Sequence, residues 1–143
     1  GSAGMLGVAV ELDCASDWAG NATEAIDGSK NASSAHGRCK VVRVNTRAVR
    51  THDRAFHDIQ DVASWNLGCV ATDARSSGLQ SAAFASGYLP EAAPDTTRMY
   101  LDGCQSIGNG CDLAAHDGGT IYVRNMRAGL VADSQRGGVV VNY

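Results

Sequence analysis

The chain has 143 residues with a formal net charge of −3 at pH 7, and 44% of its residues are hydrophobic but only 6% aromatic. This length suffices for one domain with its own core. A net negative charge without a dense cationic cluster argues against a nucleic-acid partner, and no apolar run approaches the roughly 20 residues of a membrane span. Residues 1–4 resemble the remnant of an expression tag, so we expect a single globular domain over residues 5–143.

Two strands are predicted in the first third of the chain. In residues 6–14, large aliphatic side chains occupy every second position, which is typical of a strand with two different faces. Residues 38–44 predict a second strand, in which Cys39, Val41 and Arg43 share one side.

The segment between these strands, residues 20–37, is rich in Gly, Ser and Asn and predicts a surface loop. It contains two N-glycosylation sequons, at Asn21 and Asn31. Both are compatible with a secreted glycoprotein.

One main helix is predicted over residues 51–68. Its apolar residues recur at three- and four-residue spacing, and Thr51 or Asp53 is suited to cap its N-terminus. After it, residues 69–72 predict a short strand and residues 79–84 a short helix.

The last third of the chain predicts two strands after an ambiguous segment. Residues 98–102 favour a helix over a strand because capping side chains precede them. Residues 120–126 alternate like a strand with one buried face, and residues 139–143 contain a Val triplet that predicts a central strand buried on both faces. Together the elements predict an α+β sandwich, in which an antiparallel sheet is covered by the main helix and short helices.

Five cysteines are spread over the chain without any C-x-x-C pair, which argues against a zinc knuckle or a thioredoxin-type site. Such spacing is typical of structural disulfides in an exported protein. We expect Cys104–Cys111 as the first disulfide and Cys14–Cys39 as the second, which leaves Cys69 unpaired. Five reduced cysteines in a reducing compartment are the alternative.

The histidines offer the main candidate catalytic groups, since a cysteine nucleophile such as Cys39 near His36 is outweighed by the structural interpretation of the cysteines. In the predicted helix, Asp53, His57 and Asp61 fall on one face, which we interpret as a solvated polar face rather than an oriented general base. His57 and His116 together are the acid and base of an alternative hypothesis, a metal-independent ribonuclease. No metal, nucleotide or cofactor motif is present, and the scattered aromatic residues predict no stacking platform for sugars or bases.

Residues 6–14 and 138–143 resemble the first and last strands of secreted fungal killer-toxin-like and effector proteins. The resemblance implies a small disulfide-bonded α/β sandwich that binds a host or competitor target. We therefore expect a secreted, non-enzymatic recognition protein with a protein partner and no cofactor. Two alternatives remain open: the histidine hydrolase, and a partner-dependent or dimerising structural protein with Cys69 at the interface.

Overall fold

The computed structural model describes residues 7–17, 32–51, 54–73, 82–87, 96–127, 132–135 and 137–143. These residues form strands and turns but no helix. The predicted α+β sandwich is therefore wrong. None of the described segments is a helix that could cross a membrane.

The strands form three sheets, and every strand pair in them is parallel. Sheet A has the order β1 (Gly7–Leu12), β4 (Cys39–Val44), β7 (Ala63–Leu67), β10 (Arg98–Asp102), β13 (Thr120–Arg124), β15 (Val139–Asn142). Sheet B has the order β11 (Gln105–Ile107), β8 (Val70–Thr72), β5 (Arg47–Val49), β2 (Ala15–Asp17). Sheet C has the order β14 (Ala132–Gln135), β12 (Cys111–His116), β9 (Ala82–Ser86), β6 (Phe56–Ile59), β3 (Ser33–His36).

The chain visits sheets A, B and C in turn, so it winds as a parallel β-helix in which each circuit is one rung. Each rung stacks on the previous one at the strand spacing of about 4.8 Å. Residues that are far apart in sequence therefore line up in straight columns across each sheet.

A left-handed backbone residue turns the chain from sheet A to sheet B in every rung. Only Asp, Asn and Gly occupy this corner, because they tolerate positive φ better than other residues. The residue that follows the corner is a cysteine, threonine or methionine. The five pairs are Asp13-Cys14, Asn45-Thr46, Gly68-Cys69, Gly103-Cys104 and Asn125-Met126.

Glycine is required at the corner between sheets C and A, where successive rungs approach closely. A Cβ on Gly119 would lie 2.4 Å from the carbonyl oxygen of Ser86, and one on Gly138 would lie 2.1 Å from that of Ala115. Neither distance is possible for a side chain, so these positions fix how tightly the rungs pack.

The core lies between the three sheets and combines small side chains, large aliphatic side chains and two phenylalanines. Phe56 and Phe84 stack in neighbouring rungs with ring centroids 5.0 Å apart. Both faces of sheet C are buried over β6, β9 and β12. This double burial explains the abundance of alanine in that sheet.

The predicted helix over residues 51–68 is replaced by β6, a turn and β7. Gln60 and Asp61 both have positive φ, which no α-helix accommodates. The helical spacing arises because β6 is buried on both faces and Val62 is buried in the adjoining corner. Burial of both faces of the strand therefore produced apolar residues at the three- and four-residue spacing that is typical of a helix.

Two other helix predictions are also wrong. Residues 98–102 form β10, and residues 82–84 of the predicted short helix belong to β9; residues 79–81 lie outside the described part of the chain. The predicted strands in the first third of the chain and at residues 120–126 are confirmed by β1, β4 and β13. The last strand is a strand but not a central one, because β15 lies at the edge of sheet A and Val139 is exposed.

Candidate functional site

The outward-pointing side chains of sheet A form one continuous surface, called here the outer face. In-register pairing arranges it in rows across the strands. The first row is Val8, Lys40, Ala63, Arg98, Thr120 and Val139. The middle row is Val10, Val42, Trp65, Tyr100, Tyr122 and Val141, and the third row is Leu12, Val44, Leu67, Asp102 and Arg124, with Tyr143 at its end.

Apolar exposure is concentrated on the outer face. Among the described residues, eight large hydrophobic side chains are exposed, and seven of them lie here; the eighth, Ile107, is on sheet B. Val8 is 69% exposed, Val10 59% and Leu12 62%. The sequence pattern of β1 placed these three on one face correctly, but that face points to solvent.

The aromatic residues of the middle row stack on one another. The ring centroids of Trp65 and Tyr100 are 5.6 Å apart, and those of Tyr100 and Tyr122 are 4.7 Å apart, with planes within 10° of parallel. Tyr143 meets Tyr122 edge-on at 6.2 Å. The rings thus cover each other's faces and present their edges to solvent.

Charged side chains border this stack on both sides. Arg124 pairs with Asp102 at 2.7 Å, and its guanidinium carbon lies 5.1 Å from the ring centroid of Tyr143. Hydrogen bonds from Arg124 and Asn125 lower the pKa of Asp102. On the opposite border, Lys40 and Arg98 are exposed in the first row.

A polar network occupies the interior near the first rung. The guanidinium of Arg43 donates to both carboxylate oxygens of Asp58 at 2.8 Å, and also to Asn66 and Ser33. Glu11 accepts a hydrogen bond from Ser33 at 2.7 Å and lies 3.5 Å from Arg43. Although burial opposes the charge on Arg43, the adjacent Asp58 carboxylate raises its pKa. The network therefore joins sheets A and C.

The two histidines of the hydrolase hypothesis lie on the same side of sheet C. His57 is on β6 and His116 on β12, and they are only 4% and 5% exposed. Burial, followed by the charges of Arg54, His36 and His116, lowers the pKa of His57 to about 3. A buried imidazole that stays neutral is poorly suited to act as a general acid on a macromolecular substrate.

The helical polar face around His57 does not form. Asp53 lies outside the described residues, and Asp61 sits in the turn before β7, where it pairs with Arg38 at 3.6 Å. His57 is buried on a strand instead. Within the described part of the chain, no group of three or more His, Cys, Asp or Glu side chains is arranged to hold a metal ion.

The five cysteines are free, so the predicted disulfides Cys104–Cys111 and Cys14–Cys39 are wrong. Cys104 lies at a corner of the solenoid whereas Cys111 is on the far side of sheet C, packed with Ala82, Ala85 and Ala114. The Cys104 thiol donates to the carbonyl of Asn66 at 3.2 Å.

Two of the thiols stack in consecutive rungs. Cys69 and Cys104 each follow a corner glycine, and both side chains are fully buried. A hydrogen bond with Cys69 and burial raise the pKa of Cys104. Burial likewise raises the pKa of Cys39.

The exposed thiol, Cys14, lines an open groove of about 580 Å³ at the corner between sheets A and B, together with Asp13, Asn45 and Arg47. With all thiols free, the argument for export that rested on disulfides is lost. Secretion stays a prediction from the sequence. The sequons at Asn21 and Asn31 lie outside the described residues.

The outer face escaped sequence reasoning because its aromatic residues are far apart in the chain. The five pairs of a left-handed corner residue and the Cys, Thr or Met that follows it could have revealed the outer face from the sequence. Five of the six middle-row residues stand three positions before the left-handed corner residue of their own rung: Val10, Val42, Trp65, Tyr100 and Tyr122.

Comparison with known proteins adds no assignment: no model of a protein family, no curated protein and no solved structure matches this chain.

Proposed function

We propose that this chain is a non-catalytic recognition protein that binds a protein partner through the outer face of sheet A. The observation that carries the proposal is the concentration of seven exposed large hydrophobic side chains on one sheet face. Soluble proteins leave single apolar side chains exposed, but contiguous apolar patches mark interaction surfaces.

The chemistry of the face favours a protein over a sugar or a nucleic acid. A sugar ring or a base stacks on a free aromatic face, whereas Tyr100 has Trp65 on one side and Tyr122 on the other. The aliphatic side chains of the face, Val8, Val10, Leu12, Val42, Val44 and Leu67, offer no hydrogen-bond donors to hydroxyl groups. It suits the apolar side chains of another protein.

The charged side chains of the outer face indicate which residues a partner carries at the edge of its binding surface. Arg124 is neutralised by Asp102, whereas Lys40 and Arg98 stand exposed along the first row with Ala63 between them. A matching protein surface therefore has an apolar strip flanked on one side by carboxylates.

The size of the face sets the expected affinity. Six strands at about 4.8 Å spacing and three rows at about 7 Å spacing give a surface of roughly 24 by 14 Å. This is below the roughly 800 Å² that each partner buries in a standard interface. The complex should therefore be transient, with a dissociation constant on the order of micromolar.

Site-specific photo-crosslinking tests the proposal. A photoreactive amino acid at Val42, in the middle row, is compared with one at Ile107, the exposed hydrophobic residue of sheet B. We expect a protein from the native source to crosslink at position 42 and not at position 107. Equal crosslinking from both positions contradicts the proposal.

The identified partner is then purified and its binding measured with matched variants. Trp65→Thr and Leu67→Thr remove outer-face side chains, and Ile107→Thr is the control on another exposed strand. The first two should weaken binding at least tenfold while the control leaves it unchanged, with circular dichroism confirming that all three fold. Equal affinity of the three variants, or binding of a polysaccharide instead, overturns the assignment.

A further inference from the structure

The corner between sheets A and B carries a column of sulfur side chains inside the solenoid. The residues that follow the left-handed corner stay in register from rung to rung, because β7 pairs with β10 just before them and β8 pairs with β11 just after them. Cys69 and Cys104 are therefore direct neighbours in this column, and both are fully buried. Met126 follows Cys104 in the next rung and packs against the same core cluster.

The two buried thiols have the same orientation. The Sγ of Cys69 lies 3.5 Å from the carbonyl oxygen of Arg43, and that of Cys104 lies 3.2 Å from the carbonyl oxygen of Asn66. Each Sγ also lies 3.8 Å from the carbonyl oxygen two residues before its own cysteine. Because Arg43 and Asn66 are paired in register, the two sulfur atoms are related by one rung, a separation of about 4.8 Å.

This separation suits a metal ion that holds two sulfur ligands in a line. Two metal–thiolate bonds of about 2.3 Å span roughly 4.6 Å from sulfur to sulfur. Ions that need more ligands are less well served, since no group of three or more His, Cys, Asp or Glu side chains in the described ranges surrounds one point. Thiolate and thioether sulfur favour soft ions such as Cu(I).

Backbone N–H groups stabilise the thiolates that a metal ion requires. A hydrogen bond with Cys104 lowers the pKa of Cys69 in spite of burial, and the backbone N–H of Thr46 and the charge of Arg43 act in the same direction. Although the hydrogen bond with Cys69 and burial raise the pKa of Cys104, the backbone N–H of Cys69 favours its thiolate. Each sulfur thus has an N–H donor from the preceding rung, and such donors stabilise metal-bound sulfur.

The hydroxyl of Thr46 points to the same state of the thiols. Thr46 holds the position one rung before Cys69 in the column and is buried. Its Oγ1 has no hydrogen-bond partner among the residues that the structure describes. A thiolate at Cys69 is a strong acceptor in the neighbouring position, so its formation offers this buried hydroxyl a partner.

We propose that Cys69 and Cys104 form a binding site for one Cu(I) ion, which lies between the two sulfur atoms with a thiolate on each side. The ion keeps its oxidation state and replaces the two thiol protons, which are released to solvent. The open groove at this corner reaches Gly68 and Val70, on both sides of Cys69, and gives the ion a route from solvent. The site is independent of the recognition function, because it uses no side chain of the outer face.

Competition with a coloured Cu(I) chelator tests the proposal on the full chain, under anaerobic conditions and with ascorbate as the reductant. We expect the unmodified chain to withdraw one tightly held equivalent of Cu(I) from the chelator. Cys69→Ala and Cys104→Ala should each lose that equivalent. Two controls should keep it: Cys111→Ala, which removes a buried thiol on sheet C, and Cys14→Ser, which removes the exposed thiol.

Two further measurements separate loss of the site from loss of the fold. Cu(I) should raise the Tm of the unmodified chain and of Cys111→Ala, but not that of a Cys69→Ala variant that circular dichroism shows to be folded. X-ray absorption at the copper edge of the unmodified chain should find only sulfur ligands, at about 2.3 Å. Trp65→Thr should bind Cu(I) like the unmodified chain, so this test and that of the recognition function succeed or fail separately.

Four results overturn the proposal. They are no uptake of Cu(I) by the unmodified chain, the same loss of uptake in Cys111→Ala or Cys14→Ser as in Cys104→Ala, nitrogen or oxygen ligands in the X-ray absorption spectrum, and oxidation of the pair to a copper-free disulfide. The last is recognised by two thiols that no longer react with an alkylating reagent.

Discussion

Arg43 and Asp58 form a bidentate ion pair in the interior of the solenoid, with both side chains fully buried and both donor–acceptor distances 2.8 Å. One residue comes from sheet A and the other from sheet C. The pair therefore joins two sheets through charge, beside the apolar packing of the main core cluster.

Removing one member of this pair should be far more costly than removing both. Asp58→Ala leaves a buried, uncompensated guanidinium and should lower the free energy of unfolding by about 3–5 kcal/mol. The double variant Arg43→Met with Asp58→Leu should be less destabilised than Asp58→Ala. Urea unfolding at pH 7 measures both.

The matched control is the exposed pair of Arg124 and Asp102. Arg124→Gln should leave the urea midpoint nearly unchanged, because solvent screens surface ion pairs. An Asp58→Ala variant no less stable than Arg124→Gln would show that the buried pair is not needed.

His57 should make the protein less stable in mild acid. Its folded-state pKa of about 3 lies below the roughly 6.5 of an unfolded chain, so the unfolded state takes up the proton first as the pH falls. The contribution of His57 to the free energy of unfolding is fully present above about pH 6.5 and is lost as the pH falls from about 6.5 to 3. At pH 5 the loss should be about 2 kcal/mol.

The comparison that isolates this effect is His57→Leu, which cannot titrate. Unfolding free energies at pH 7 and pH 5 should differ less in the variant than in the unmodified chain. The same pH dependence in both proteins would rule out His57 as the source.

The thiols should divide into reactive and protected groups. Cys14 is exposed, whereas Cys69, Cys104 and Cys111 are buried, so a maleimide should label Cys14 first in the native protein. In denaturant without reductant, all five should react. Two missing labels together with a mass lower by about two hydrogens would instead reveal a disulfide.

Gly119→Ala should destabilise the fold strongly. The added Cβ would lie 2.4 Å from the Ser86 carbonyl oxygen, so neighbouring rungs would have to move apart. We expect the free energy of unfolding to fall by about 1–3 kcal/mol. Gly7→Ala is the control, since its Cβ would be 3.8 Å from the nearest atom and should leave the urea midpoint nearly unchanged.

The strands were partly predictable because a strand with one buried face alternates by local rules. β4 and β13 alternate in burial in this way, and β1 alternates in side-chain size although its large apolar side chains face solvent; each of the three was found. The double burial of β6 removed the alternation, and the sequence around it imitated a helix. Local pattern fails where tertiary contacts bury both faces of an element.

The cysteines show the same limit at the level of the whole fold. Cys14 and Cys104 were interpreted as disulfide halves and Cys69 as an unpaired thiol, but all three occupy one repeated position after the left-handed corner. Unequal numbers of residues between corners hide this repeat from any search for a fixed period. The part of the repeat that recurs in the sequence is the corner dipeptide, in which Asp, Asn or Gly is followed by Cys, Thr or Met.

The sequence by itself determined the strand periodicity, the corner residues that accept positive φ and the glycines at the close approaches, because these depend on local backbone sterics. Only the tertiary structure decided which strands become neighbours, since parallel pairing joins residues of different rungs. That pairing brings Trp65, Tyr100 and Tyr122 into one stack, buries Arg43 against Asp58, and turns the apolar side of β1 toward solvent.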